Sequence, residues 1–444
     1  MKKLLLSFSL LLMGFTSFAQ AWVEQATAFT TASRGIEDVQ IVDANTVWCT
    51  AYDGVTPTNA IQEFTRTSDG GSTWTPGLID VGDTTLSITN ITAVDALTAW
   101  VGVYDGTNGL GAVYQTTDGG VSWNQQTISE FTTSAESWLD AVHFFNANNG
   151  IAFGDPEGGE FEVYTTADGG NTWTRVPGTS LPDPAAGEYG YNGGYAVAGN
   201  TIWFTTNKGK IYKTTDMGVT WSKINGPTGF TDFGSAAING RLHFSNDTTG
   251  LIIGTLNGSA TTPTYKIWKT VNGTTWDTGT VYTGYRLLTY IPGTTTIVST
   301  SQSATPGTGS AYSIDNGVTW TTIDTGTQRG SVAFLDGSTG WCGGFNVDDV
   351  LGGIFKFDGN LGNQQFDANT VKVYPNPAST VVTISAQQLD SYNVKVTDIT
   401  GKVMLTREFS TVENTVDVSN FAAGVYFFEI NSGSKSHTVK IMKN

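Results

Sequence analysis

Thr67-Ser68-Asp69-Gly70-Gly71-Ser72-Thr73-Trp74 recurs, with small changes, at Thr116 to Trp123, Thr166 to Trp173, Thr214 to Trp221 and Ser313 to Trp320. A shortened copy, Thr270-Val271-Asn272-Gly273-Thr274-Thr275-Trp276, has lost one position. Successive tryptophans stand 49, 50, 48, 55 and 44 residues apart. A repeat of that length is one four-stranded unit, the blade of a β-propeller. The residue types in each copy are those of a tight turn. Asp69, Asp118, Asp168, Asp216 and Asp315 can accept backbone N–H bonds, and the glycines can take positive φ. Trp74, Trp123, Trp173, Trp221 and Trp320 can pack an outer layer. A structural role is therefore expected for each of these aspartates and tryptophans.

Between the boxes runs a second signature, an alternating apolar strand followed by a turn. It reads Val39 to Asp43 before Trp48, Ile91 to Asp95 before Trp100, Val142 to Asn146, and Ala196 to Asn200. Leu242 to Asn246, Leu288 to Pro292, and Val332 to Asp336 before Trp341 complete the set. Seven such strands against six boxes leave the last unit short of an outer strand. Trp22-Val23-Glu24-Gln25-Ala26-Thr27 reads like Trp123-Asn124-Gln125-Gln126-Thr127 and supplies it. The expected fold is all-β: a seven-bladed β-propeller closed by its N-terminal strand, which removes the exposed sheet edges. A small Ig-like β-sandwich is expected to follow it. Cys49 and Cys342 each follow the marker tryptophan of their unit. They occupy one repeat position, point the same rotational way, and are expected to stay unpaired.

Composition agrees with a turn-rich β protein: 54 glycines, 13 tryptophans and only 14% charged residues. Residues 20–365 hold 13 basic and 32 acidic side chains, a net −19, while 366–444 balance at seven each. Such a surface repels phosphate backbones, so nucleic acid is excluded as a partner. Its simplest use is solvation of a secreted protein.

The ends of the chain give its destination. Lys2 and Lys3 precede an apolar run from Leu4 to Phe15 and the small-residue pattern Ser17-Phe18-Ala19. Residues 1–19 are read as a signal peptide removed after Ala19. No later window approaches the roughly 20 apolar residues of a transmembrane span. Residues 20–358 form the propeller, 359–370 a linker rich in Gly, Asn and Gln, and 371–444 a module of short alternating strands. That module carries Val373-Tyr374-Pro375-Asn376-Pro377, Asp398-Ile399-Thr400-Gly401-Lys402, Phe421-Ala422-Ala423-Gly424-Val425-Tyr426 and Lys440-Ile441-Met442-Lys443. It resembles the type A sorting domain of the type IX secretion system of Bacteroidetes. The resemblance implies passage through the periplasm and across the outer membrane, with release or attachment at the cell surface.

The boxes resemble the Asp-box of the BNR repeat family, found in sialidases and in photosystem-assembly-factor-like propellers. The segments Asp155-Pro156-Glu157-Gly158-Gly159 and Glu188-Tyr189-Gly190-Tyr191-Asn192, in that order, place the chain nearest the photosystem-assembly group. Those propellers mostly bind proteins or lack known activity. Sialidases have six blades and an Arg-Ile-Pro segment near the start, whereas Arg34 here is followed by Gly35-Ile36.

A ligand site is expected where loops enter the inner strands. Arg34, Arg286 and Arg329 fall in such loops of the first, sixth and seventh units and could grip a carboxylate or sulfate bidentately. Glu37 and Asp38 share the first of these loops with Arg34, while Asp140, Asp155, Glu157, Glu188 and Tyr189 fall in the third and fourth units and form an acidic and aromatic sector. His143 and His243 share a strand position with a whole unit between them, too far apart to share a metal. No P-loop, nucleophile elbow or zinc-type cysteine spacing occurs, so neither metal nor cofactor is expected. The sequence favours a monomeric, non-catalytic module that binds a glycan or protein and meets the secretion machinery through residues 371–444. The alternative is a glycan-active hydrolase or lyase, which would need two carboxylates about 5–10 Å apart at the mouth.

Overall fold

The computed structural model describes residues 21–127, 131, 137–255, 264–303, 307–361, 364–365, 371–386, 391–410, 412–432 and 435–444. The signal peptide and much of the linker lie outside those residues. Apart from one 3-10 turn at Gly178–Ser180, every regular element among the described residues is a strand.

Five four-stranded antiparallel sheets span 87–125, 139–175, 195–225, 241–282 and 287–325. An eight-stranded sheet consists of two such halves. One half is built from 34–78; the other combines 332–357 with Trp22–Ala26, and the pair Gly35↔Phe345 bridges them. The strand at the N-terminus therefore completes the last repeat, with Trp22↔Phe357 through Ala26↔Gly353 in register.

The second strand of each sheet is buried on both faces, as at Val47–Asp53, Ala99–Asp105, Thr201–Thr205 and Gly250–Thr255. This is why these stretches read as continuous apolar runs rather than alternating ones. The marker tryptophans Trp48, Trp100, Trp203 and Trp341 are fully buried. Trp100 stacks on Phe144 at 3.5 Å and Trp203 on Phe244 at 3.7 Å, each reaching the inner strand of the next sheet. At the closure, Trp74 Nε1 and Trp341 Nε1 both donate to Gln25 Oε1 at 3.2 Å. One glutamine thus ties the first repeat to the last.

Five of the inner strands end in a turn that an Asx side chain organises. Asp43 Oδ1 accepts the N–H of Asn45 and Thr46, and Asp95, Asn146, Asn246 and Asp336 repeat the pattern. The box turns rest on these turns: Gly70 N–H donates to Asn45 O, Gly119 to Leu97 O and Gly169 to Asn148 O, all at 2.9 Å. Boxes and inner-strand ends therefore share one face. Loops entering the inner strands share the opposite face, called the mouth below.

Residues 371–444 form a three-stranded sheet and four strands of a five-stranded one around one core that includes Val382, Ile384, Tyr392, Val394, Phe428 and Ile430. Gln364–Gln365 adds a short parallel strand to the larger sheet. Among the described residues no helix is long and apolar enough to cross a membrane. Cys49 and Cys342 are free thiols, both buried.

Candidate functional site at the axial mouth

The inner strands pack side by side around the propeller axis, and Val332–Phe334 returns to Arg34–Ile41. Ladder register fixes which side chains share a level. Asp38, Tyr195 and Arg241 each stand three residues before the last ladder pair of their strands. Glu37, Asp140 and Arg286 stand one residue earlier. His143 and His243 occupy one level nearer the box face, opposite Ile151 and Leu251.

Two guanidinium groups meet at this mouth. Burial lowers the pKa of Arg241, the neighbouring Arg286 lowers it further, and Glu37 partly offsets both. Arg286 Nη2 donates to Asn239 O at 3.1 Å, and Arg241 Nη1 makes a 3.4 Å contact to Gly240 O. Among the described residues no carboxylate lies within ion-pair distance of either. Water nevertheless reaches Arg241, which is solvent-exposed. Burial, with help from these two arginines, holds His243 down at about 4, so it is neutral at pH 7. Burial alone does the same to His143.

The facing carboxyls are pushed upward. Burial and the charge of Glu37 raise Asp38 to about 7, against the pull of its Thr50 hydroxyl and Ile91 N–H bonds. Glu37 is itself raised by burial and drawn back by Arg241. Asp140, 4% exposed, is raised by burial and then by Asp155. Burial also raises Asp155, which accepts the Gly190 N–H at 2.7 Å. Gly190 is required here because a Cβ would sit 2.1 Å from Asp140 Oδ2 and 3.7 Å from Asp155 Oδ1. The charge of Asp155 thus adds to burial in favouring the protonated form of Asp140.

Other expected site residues are placed differently. Arg34 is already clamped by Glu63 at 3.1 and 3.0 Å, with Asp53 at 3.7 Å. Arg329 is 2% exposed, bonds Asp324 through Nε at 2.9 Å and Nη2 at 2.5 Å, and lies 4.0 Å over the Phe355 ring. The three-arginine grip is thus corrected: Arg34 and Arg329 are consumed by carboxylates of neighbouring strands, and only Arg286 remains. Its companion is Arg241, which begins a strand rather than lying in a loop. Glu188 is a loop staple, buried and bonded by the Ala185 N–H and the Thr206 hydroxyl, each at 2.7 Å. Glu157 pairs with Glu160 at the tip of its hairpin, apart from the Asp140–Asp155 pair. Tyr189 stays 43% exposed, with its ring 5.4 Å from that of Tyr191.

The box aspartates lie on the other face and are saturated locally. Asp69 accepts the Thr73 N–H at 2.9 Å, the Thr73 hydroxyl at 2.7 Å and the Thr67 hydroxyl at 2.8 Å. Asp118, Asp168, Asp216 and Asp315 repeat the arrangement. Among the described residues no group of three or more His, Cys, Asp or Glu side chains is arranged to hold a metal.

Fold and repeat define a secreted or cell-surface Asp-box β-propeller with a sorting tail. Residues 89–241 match the family model described as photosynthesis system II assembly factor YCF48, and residues 372–444 match the secretion system C-terminal sorting domain. Each model matches one segment, and neither spans half of the chain. The structure of YCF48 bound to D1 peptide is similar at 14% identity and TM-score 0.50, over 77% of this chain and 97% of that one. YCF48 from Cyanidioschyzon merolae is 17% identical over 76% of this chain and 99% of its own, at TM-score 0.49. PorZ, a bacterial surface component of the type IX secretion system of Porphyromonas gingivalis, is 16% identical over 92% and 59%, at 0.45. At such identities the likeness is one of fold. Comparison with curated proteins finds no match.

Proposed function

We propose that the chain is an exported, non-catalytic binding protein: a seven-bladed propeller over 20–358, a linker over 359–370 and an Ig-like sorting domain over 371–444. Its ligand, a glycan or protein, is held at the axial mouth through an acidic group. The observation that carries this reading is that Arg286 and Arg241 contact adjacent backbone carbonyls, Asn239 O and Gly240 O, and among the described residues neither has a carboxylate within ion-pair distance. Two guanidinium groups side by side in a partly enclosed mouth repel one another, and a bound carboxylate or sulfate relieves that repulsion while accepting bidentate bonds. YCF48, a propeller of the same fold, holds a D1 peptide, and an analogous binding role is proposed here. Thermal shift with sulfate and with acetate tests the idea. The unaltered protein should gain stability, Arg34→Gln should keep that response, and Arg241→Gln/Arg286→Gln should lose it. An equal response in the double variant would refute the site.

One observation favours the alternative of a glycan-active hydrolase. Asp140 and Asp155 both lie against Gly190, next in sequence to the exposed Tyr189, and two neighbouring carboxyls can serve as acid and base. Release of reducing ends that Asp155→Asn abolishes would establish that activity.

A further inference from the structure

We infer that the mouth takes an acidic polysaccharide, with one acid group on Arg241 and Arg286 and a nearby sugar ring stacked on Tyr189. This rests on the binding reading above and names its ligand class. The arginines and the aromatic ring belong to one continuous rim. Arg286 bonds Asn239 O, and Asn239 ends a loop whose Asp232 accepts the Tyr191 hydroxyl at 2.5 Å. Tyr191 in turn meets Tyr189 edge to face. The platform is held firmly, because Gly234 lies flat against the Tyr191 ring, where a Cβ would come within 2.2 Å.

What Tyr189 leaves available decides between a glycan and a peptide. Its N–H donates to Asn207 Oδ1 at 2.9 Å and its C=O accepts the Asn207 N–H at 3.1 Å. The Asn207 amide is used again on Gly187 O at 2.8 Å. A peptide recognised by strand addition needs free main-chain groups, and both of those at Tyr189 are taken. It offers an exposed ring face, suited to the C–H face of a sugar. Asp155, which accepts the N–H of the next residue, Gly190, can also accept sugar hydroxyls. The net −19 of residues 20–365 disfavours a polyanion at long range. Screening within about 8 Å at physiological ionic strength confines that repulsion, so affinity depends on the contact arginines.

Isothermal titration of the full chain with polygalacturonate, a sulfated carrageenan, neutral laminarin and polyglutamate tests the inference. One acidic glycan should bind and laminarin should not, and which of the two binds separates uronate from sulfate. Tyr189→Ala should weaken that binding about tenfold, the scale of one aromatic stack, while leaving the thermal response to free sulfate intact. Arg241→Gln/Arg286→Gln should abolish both. Arginine-dependent binding of polyglutamate alone would overturn the glycan inference and leave the binding site standing, as would glycan binding indifferent to Tyr189→Ala. Absence of any arginine-dependent binding would remove both readings.

Discussion

Five aspartates on the box face and three on the mouth carry the same carboxyl group and are driven in opposite directions. Asp69, Asp118, Asp168, Asp216 and Asp315 sit in turns open to water and accept hydroxyl and backbone N–H bonds, which hold them low, at about 2 for Asp69 and Asp118. Asp38, Asp140 and Asp155 are enclosed at the mouth with fewer donors, and burial together with the charges of Glu37, Asp155 and Glu162 respectively holds them high. The difference teaches where structure and function part. The box face places its carboxylates where their charge stabilises the fold. The mouth face keeps carboxyls and guanidinium groups incompletely paired, which costs stability and leaves them available to a ligand.

Both faces exist only if the ring closes, so the largest effect should come from opening it. A chain beginning at Arg34 loses Trp22, fully buried, and Gln25, which joins Trp74 to Trp341. Truncating one buried tryptophan alone typically costs about 3–5 kcal/mol. Thermal denaturation should show a Tm lower by roughly 10 °C or more, whereas removing 371–444 should leave the propeller transition in place. An unchanged Tm without residues 20–33 would break the closure argument.

A smaller effect should have opposite signs on the two faces. The folded pKa of Asp38, about 7, lies above its ordinary 3.8. Its protonated form therefore favours folding, and its cost is absent below about pH 4 and complete above pH 7. Asp38→Asn should stabilise the protein at pH 8 by on the order of 2 kcal/mol and have little effect at pH 4. Asp69 is the reverse: its folded pKa, about 2, lies below the ordinary value. Its stabilisation is present above pH 4 and is lost as pH falls through 2. Asp69→Ala should lower Tm by a few degrees at pH 7 and have no effect near pH 2. Matching pH profiles for the two variants would erase the distinction between the faces.

How much of this was legible in the sequence follows the same division. The boxes and the closing strand could be read because a repeat imposes one solution on every unit. Trp22-Val23-Glu24-Gln25 aligned with Trp123-Asn124-Gln125-Gln126, and the structure pairs it with Gly353–Phe357. The mouth broke the repeat and was read less well. Arg34, at the start of its strand, and Arg329, in a loop, both lie near the mouth, but Glu63 and Asp324, which neutralise them, come from third and fourth strands that spacing does not connect to those positions. Arg241 was missed because it opens a strand. Its level with Asp38 and Tyr195 appears only once ladder register is known. Gly190 looked like ordinary turn punctuation, and only packing shows it pressed against Asp140.

Carboxyl-carbon NMR titration of the aspartates tests the central claim most directly. Asp69 and Asp118 should titrate near 2 and Asp38 near 7 in the ligand-free protein. Asp140 should stay protonated well above the ordinary range. Titration of both sets together, near the ordinary carboxylate value of about 4, would contradict that claim.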